Sequence, residues 1–371
     1  MKTREIGLSA PYLGEREEEL VLEVLRSGSL SLGPTLDRFE ELFAERVGAA
    51  YAASVSSGTA GLHLAVRLAG IGPGDEVVTT PFSFVASTNC FLYEGARPVF
   101  ADVDPRTLNL DPAAAEAAIT DRTRAILAVD IFGYPCELDP LRELAERHGL
   151  AFIEDACEAL GAEYKGRPLG SHGHLATFAF YPNKQMTTGE GGVVVTGSEE
   201  KWRLLKSLSN QGRAEEAAWL DHERLGYNYR LDDIAAAIGI GQLEKLDLIL
   251  ELRGQVATRY AELLAGFDSA EPLAADDADH KRSWFVYPVR LAEDVDRDQV
   301  LAELRAAGVA SKVYLPSIHL QPYMRERFGF REGMFPASEE ASRRLLALPF
   351  HTGLEAEDQE RVVEALRSAI G

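Results

Sequence analysis

Apolar positions along the chain follow two periods. Leu20, Val21, Val24 and Leu25 line one face of a stretch from Glu15 to Arg26, and Leu36, Phe39, Leu42 and Phe43 do the same from Leu36 to Val47. That helical spacing predicts two helices, parted by the glycine-punctuated segment Ser27 to Pro34. From Ala52 the pattern changes to short apolar runs alternating with helical stretches. Strands are predicted at Ala52 to Val55, Glu76 to Thr79, Pro98 to Val103, Ala125 to Phe132 and Leu150 to Asp155. Between them the spacing predicts helices at Ala60 to Ala69, Val85 to Tyr93, from Asp111-Pro112 onward, and at Glu137 to His148. Apolar strands joined by helices through short loops build βαβ units, that is, an α/β fold with a mostly parallel sheet covered on both faces. Ligands of such sheets sit at the carboxyl ends of the strands.

Two further strands (Ala176 to Phe180 and Gly192 to Thr196) and helices at Asp232 to Asp247 and Leu252 to Gly266 follow. Beyond them a strand (Trp284 to Leu291), a helix (Asp296 to Ala307), a short strand (Ala310 to Tyr314) and a closing helix (Ala356 to Ile370) read as a small α+β lobe. The change of pattern puts a boundary within residues 248–268, dividing the chain into a large α/β domain, 1–250, and a small C-terminal α+β domain, 251–371. The length of 371 residues suits two such units.

Composition narrows the function classes. Hydrophobic residues at 46% exclude a disordered chain. A formal net charge of −21 has the wrong sign for wrapping nucleic acid or lying on an anionic membrane. No apolar run approaches the ~18 residues of a membrane span, and the charged Met1 to Gly7 is followed by no signal-type apolar core. Cys90, Cys136 and Cys157 are an odd number without a CxxC pair, which suits a reducing compartment. These features predict a cytoplasmic protein that binds neither nucleic acid nor membrane. An anionic substrate would need local cations, for which Lys281, Arg282, Arg230 and Lys312 are candidates, although each reads equally well as a surface charge.

Three segments carry candidate chemistry. Val55-Ser56-Ser57-Gly58-Thr59-Ala60-Gly61 joins a strand to a helix opening on small residues, where free amides and hydroxyls form a phosphate cup. Phe152-Ile153-Glu154-Asp155 ends an apolar strand in acids at the ligand rim, where an Asp can pair with a cationic ring nitrogen. Lys184 lies between two strands, with Pro182 before it and Gly189-Glu190-Gly191-Gly192 after it. A lysine on so constrained a loop can be desolvated into a Schiff-base nucleophile. Each segment also has a plain structural reading: an ordinary Ser/Thr cap, a solvated strand end, a surface lysine. Together they match the three anchors of pyridoxal 5'-phosphate (PLP): phosphate, ring nitrogen and aldehyde. His172 and His174 form an HxH that reads as loop polarity rather than a metal site.

The same motifs, with Ser27-Gly28, Gly33-Pro34, Thr80-Pro81-Phe82-Ser83-Phe84-Val85-Ala86, Glu154-Asp155-Ala156, Thr187 to Gly192, Gly226-Tyr227-Asn228-Tyr229-Arg230, Gln242-Leu243 and Leu348-Pro349-Phe350, run nearly end to end. In these the chain resembles the DegT/DnrJ/StrS family of nucleotide-sugar aminotransferases, PLP-dependent transferases of fold type I. The resemblance implies a seven-stranded, mostly parallel sheet between helices, with a smaller C-terminal domain. It implies that Lys184 links the cofactor and Asp155 bonds the ring nitrogen. By the same resemblance Phe84 stacks on the ring, Gly58, Thr59 and Ala60 hold the phosphate, and Asn228 reaches the phosphate of a neighbouring subunit, making a homodimer with shared sites. Tyr314 and His319 fall where relatives approach the sugar. L-glutamate is then the amino donor and an NDP-keto-sugar the acceptor, for amino sugars of surface glycans or secondary metabolites. Two positions depart from the pattern. Ala179 stands where many relatives have Ser, so a hydrogen bond to the cofactor must come from elsewhere, with Asn183 or water as candidates. Glu158 stands where Gln or His is common, which resembles the perosamine-synthase-like branch that aminates C4. A dehydratase of the same fold would carry His in place of Lys184. A sensor without catalysis is the other alternative, one that would bind the cofactor without turnover.

Overall fold

The computed structural model describes residues 4–214 and 221–371, so Met1 to Thr3 of the charged N-terminus lie outside the described residues. The strands are, in chain order, β1 (Tyr51–Val55), β2 (Glu76–Thr79), β3 (Arg97–Phe100), β4 (Thr123–Val129), β5 (Ala151–Asp155), β6 (Glu163–Tyr164), β7 (Arg167–Pro168), β8 (Leu175–Ala179) and β9 (Gly192–Thr196). After these come β10 (Ala270–Pro272), β11 (His280–Lys281), β12 (Tyr287–Leu291), β13 (Lys312–Val313) and β14 (Leu345–Leu348). The helices are α1 (Glu15–Ser27), α2 (Pro34–Val47), α3 (Gly58–Leu68), α4 (Ala86–Leu92), α5 (Pro112–Ala118), α6 (Leu138–Arg147), α7 (Glu199–Ser209) and α8 (Asp233–Glu244). They continue with α9 (Leu246–Leu264), α10 (Arg297–Ala306), α11 (Pro322–Phe328), α12 (Pro336–Arg344) and α13 (Ala356–Ile370).

Seven strands form the central sheet in the order β1-β9-β8-β5-β4-β2-β3. Only β9 runs against its neighbours. The reversal follows from its connection, because residues 180–191 form no helix to cross the sheet and the chain turns back antiparallel, whereas the parallel strands are joined by helical crossovers. That segment is the one carrying Lys184. Phe178 and Phe180 alternate to one face of the chain at the end of β8, where they meet Phe39 and Phe43 of α2 at ring-centroid distances of 5.3 to 5.9 Å, in edge-on geometry. This aromatic cluster anchors the strand from which the lysine loop departs. The amphipathic α1 packs within the chain on α8, where Glu17 accepts from Gln242 at 2.7 Å and pairs with Lys245.

A second, four-stranded sheet, β10-β12-β14-β13, has its own core of Val256, Tyr260, Tyr287, Val289, Leu346, Val362 and Leu366, which the N-terminal Ile6 joins. Helix α9 crosses from one core to the other: Leu246 belongs to the first, Val256 and Tyr260 to the second. From beyond it, β11 returns to pair with β6, completing a three-stranded sheet with β7.

Four predicted strands are cut short: Pro98 to Val103 ends at Phe100, Ala310 to Tyr314 keeps only Lys312–Val313, and two more stop for visible reasons. The run Ala125 to Phe132 stops as a strand at Val129, because Asp130 turns its carboxylate onto the amide of Cys136 (2.8 Å) and Phe132 takes a left-handed φ of +55° in a short 3-10 turn. The run Trp284 to Leu291 pairs only from Tyr287, because Trp284 has φ +48° and the carbonyls of Trp284 and Phe285 are bonded by Arg253 instead of a neighbouring strand. No helix among the described residues is long and apolar enough to cross a membrane.

Candidate active site

The carboxyl ends of β4, β5 and β8 and the amino end of α3 open on one cavity of about 480 Å³. Ser57 caps α3, its hydroxyl accepting from the amide of Ala60 at 3.1 Å. The amides of Gly58 and Thr59 therefore remain without helical acceptors beside the cavity, at the positive end of the helix. Ala60 does not share that role. Its amide is taken by Ser57, and its methyl group joins the core. A Cβ on Gly58 would stand 2.6 Å from the Cβ of Ala179 and 3.0 Å from the sulfur of Cys157, so only glycine lets the helix end pack this closely.

Asp155, the last residue of β5, is 5% exposed. Its Oδ2 accepts from the hydroxyl of Ser87 at 2.6 Å and its Oδ1 from the amide of Cys157 at 3.2 Å. Ser87 is aligned in turn by Ser83 at 2.7 Å. A carboxylate has about four acceptor positions, so this fixed pair of oxygens can still receive one more proton donor.

The lysine loop is pinned to the end of β8. Phe180 donates to Gly191 O at 3.0 Å and its carbonyl accepts from the amide of Thr188 (3.0 Å) and the hydroxyl of Thr187 (3.0 Å), while Lys184 N donates to Tyr181 O at 2.9 Å. The constrained loop expected from the sequence is thus present. Lys184 Nζ lies 3.5 Å from Glu158 Oε1 and 4.0 Å from the centroid of the Phe285 ring. Glu158 is buried. Burial raises its carboxyl above the ordinary range, against the opposing pull of Lys184 and of the Phe132 amide, which donates to Oε2 at 2.9 Å. The left-handed turn at Phe132 aims that amide.

Tyr314 and Leu315 form a wall of the cavity, with the Tyr314 hydroxyl pushed up to about 12 by burial. Asn183 lines it too, its amide nitrogen 3.5 Å from the Tyr314 hydroxyl. Phe84 stands at the mouth, 60% exposed. Asn228 is exposed and outside the cavity, bridged to Asn210. His319 is not brought to the cavity at all: it is fully buried, with Nε2 3.0 Å from Glu339. Its side chain closes a turn near α12, where the bulk of Phe335 and Phe330 surrounds it.

None of the four cations considered from sequence lines the cavity. Lys281 pairs with Glu163, Arg230 donates to Asn210 and Gln211, and Arg282 is buried between the rings of Tyr134 and Trp284. Lys312 sits exposed on β13. Among the described residues, Lys184 is the one cationic side chain of the cavity wall. His174 holds Glu154 at 2.7 Å behind the sheet, and no described group of acids, histidines and cysteines could hold a metal. Ser83 and Ser87 had a signal in the Thr80 to Ala86 motif and its continuation. Phe285 had none, because it comes from a segment a hundred residues after the lysine.

The family model for the DegT/DnrJ/EryC1/StrS aminotransferase family matches residues 11–367. GDP-perosamine synthase of Caulobacter vibrioides is 40% identical, covering 97% of each chain. The spore coat polysaccharide biosynthesis protein SpsC of Bacillus subtilis is 37% identical over 98% of this chain and 96% of its own. The X-ray structure of S. venezuelae DesV superposes with a TM-score of 0.92 at 36% identity, covering 99% of this chain and 98% of that one.

Proposed function

The chain belongs to the DegT/DnrJ/EryC1/StrS aminotransferase family of PLP-dependent sugar aminotransferases, and from that premise we propose that it moves the amino group of L-glutamate to a keto sugar carried on a nucleoside diphosphate, with C4 favoured over C3. The observation that carries this is the convergence on one cavity of a free helix N-terminus, a buried carboxylate and a lysine amine. The donor set fits PLP: the amides of Gly58 and Thr59 stand at the cavity without helical acceptors, and Asp155 keeps an acceptor position open.

When bound, PLP supplies an electron sink that makes the donor Cα–H acidic. The amides of Gly58 and Thr59 hold its phosphate at the helix dipole. Asp155, aligned by Ser87, keeps a proton on the ring nitrogen. Lys184 Nζ would bond the cofactor's aldehyde carbon, and as a free amine it would hold the proton lost from the donor Cα. Glu158 Oε1, 3.5 Å from that amine, can accept a proton from it. Phe84 covers the ring from the mouth, Tyr314 faces the sugar, and Asn228 reaches the phosphate held by a second copy of the chain. The preference for C4 is supported by glutamate at position 158 and by the likeness to a GDP-perosamine synthase.

The test combines PLP, L-glutamate and a panel of 3-keto and 4-keto nucleoside diphosphate sugars. Formation of 2-oxoglutarate together with an amino sugar is expected with a 4-keto acceptor, and Asp155→Asn is expected to slow it at least about a hundredfold. Cofactor binding with no 2-oxoglutarate from any acceptor would contradict glutamate as donor or transamination itself, and would favour the sensor or dehydratase reading.

A further inference from the structure

Arg253, on α9, is 3% exposed and has no carboxylate partner among the described residues; burial alone acts on its guanidinium, lowering its pKa to about 10. A buried cation without a counter-ion is costly, so its donors must be well used. They go to three backbone carbonyls. Nε donates to Trp284 O at 2.9 Å, and Nη2 to Phe285 O at 2.9 Å and Asn183 O at 3.3 Å. The guanidinium also lies over the Phe350 ring, 5.2 Å from its centroid.

The three carbonyls belong to the two segments that bracket the lysine amine. Asn183 immediately precedes Lys184, and Phe285 provides the ring on which Nζ rests at 4.0 Å. Trp284 takes its left-handed conformation where its carbonyl meets Arg253, at the point where a strand was expected. One planar fork thus sets the spacing between the loop bearing the amine and the surface supporting it, and ties both to the helix that joins the two cores.

We propose that Arg253 is a positioning residue for Lys184: it fixes the amine's placement by clamping the carbonyls of Asn183, Trp284 and Phe285. The proposal rests on the reading of Lys184 as the residue that links PLP. Lysine cannot replace the fork, having a single compact ammonium.

The experiment follows formation of the covalent link at saturating PLP, trapped by borohydride and counted on the Lys184 peptide by mass spectrometry, a readout that needs no turnover. Arg253→Met and Arg253→Lys are expected to slow trapping roughly ten- to a hundredfold, the upper figure being the loss that an ångström of misplacement can cause. Tyr260→Phe, another buried α9 variant, removes the bond to Pro349 O (2.9 Å) and is expected to lower the melting temperature while trapping at the wild-type rate. Should Arg253→Met fail to fold, Arg253→Lys, which keeps the charge, decides the matter. Wild-type trapping rates in a folded Arg253 variant, or equal slowing in Tyr260→Phe, would overturn the proposal. Lys184→Ala separates the two readings: adduct counted over the whole chain and found on another lysine at wild-type stoichiometry would count against Lys184, not against Arg253.

Discussion

Gly58 leaves no room for a side chain, with Ala179 and Cys157 both within 3.0 Å of where a Cβ would stand. Gly58→Ala must push that methyl group into the phosphate cup or spread α3 from β8. The variant is expected to fold but to bind PLP at least about tenfold more weakly, a cost of 1.4 kcal/mol or more; fluorescence titration measures it, and an unchanged dissociation constant would place the phosphate elsewhere. At this scale the sequence was informative wherever function is written locally. Lys184 and Asp155 lie in contiguous segments whose glycines, proline and strand-end acids reveal the backbone geometry. Phe285 and Arg253 act across the fold, so no local pattern marks them. His319 failed for the opposite reason. Its neighbour Tyr314 does face the cavity, but the intervening turn buries the histidine against Glu339.

Among the elements, β5 shows how period two divides labour. Asp155 faces the cavity, and Glu154 points to the other face, into a buried group formed with Asp130 of the β4 end, Cys136, His174, His172 and Arg142. Burial raises Glu154 to about 7 and pushes Asp130 up as well, while His174 is lowered to about 3 by burial and stays neutral. A carboxyl raised on folding contributes stability that is full below its unfolded value near 4.5 and is lost as pH rises through about 7. Melting temperatures should fall between pH 5 and pH 8, and Glu154→Gln, which keeps the bond to His174, should flatten that slope (roughly the range over which such a group titrates). Parallel slopes in the two proteins would show that the pair does not titrate there. The helical and strand periods foretold β1 to β5, β8, β9 and the helices between them. They overran at Phe132 and Trp284, where carbonyls and amides serve tertiary partners; they missed the two-residue strands β6, β7 and β11, which are too short to show a period, and also β10, β14, α7, α11 and α12.

On the scale of the molecule, the cavity is furnished unevenly. Its wall carries Asp155, Glu158 and Glu190 against the single cation Lys184, yet it is proposed to take a phosphate and an anionic sugar nucleotide. Asn228 lies exposed on a segment tied to the turn at residues 56–59 by the bond from Ser56 N to Tyr229 O (2.7 Å), and it is the residue proposed to serve a second copy. If sites are shared, mixing Lys184→Ala and Asn228→Ala chains must regenerate one intact site per mixed dimer, with activity well above either variant alone. No gain on mixing would confine each site to one chain. Periodicity and composition do not mark such an assembly, because residues lent to a partner look like ordinary surface; only the family resemblance implies it.

The central claim, a lysine-linked PLP that exchanges an amino group, is tested most directly by the absorption spectrum of the purified protein with PLP, before and after L-glutamate, beside Lys184→Ala. The account predicts a long-wavelength band from the lysine-linked cofactor, which glutamate converts to the amine form in the wild type and not in the variant. A spectrum that shows bound cofactor and is left unchanged by glutamate would contradict it.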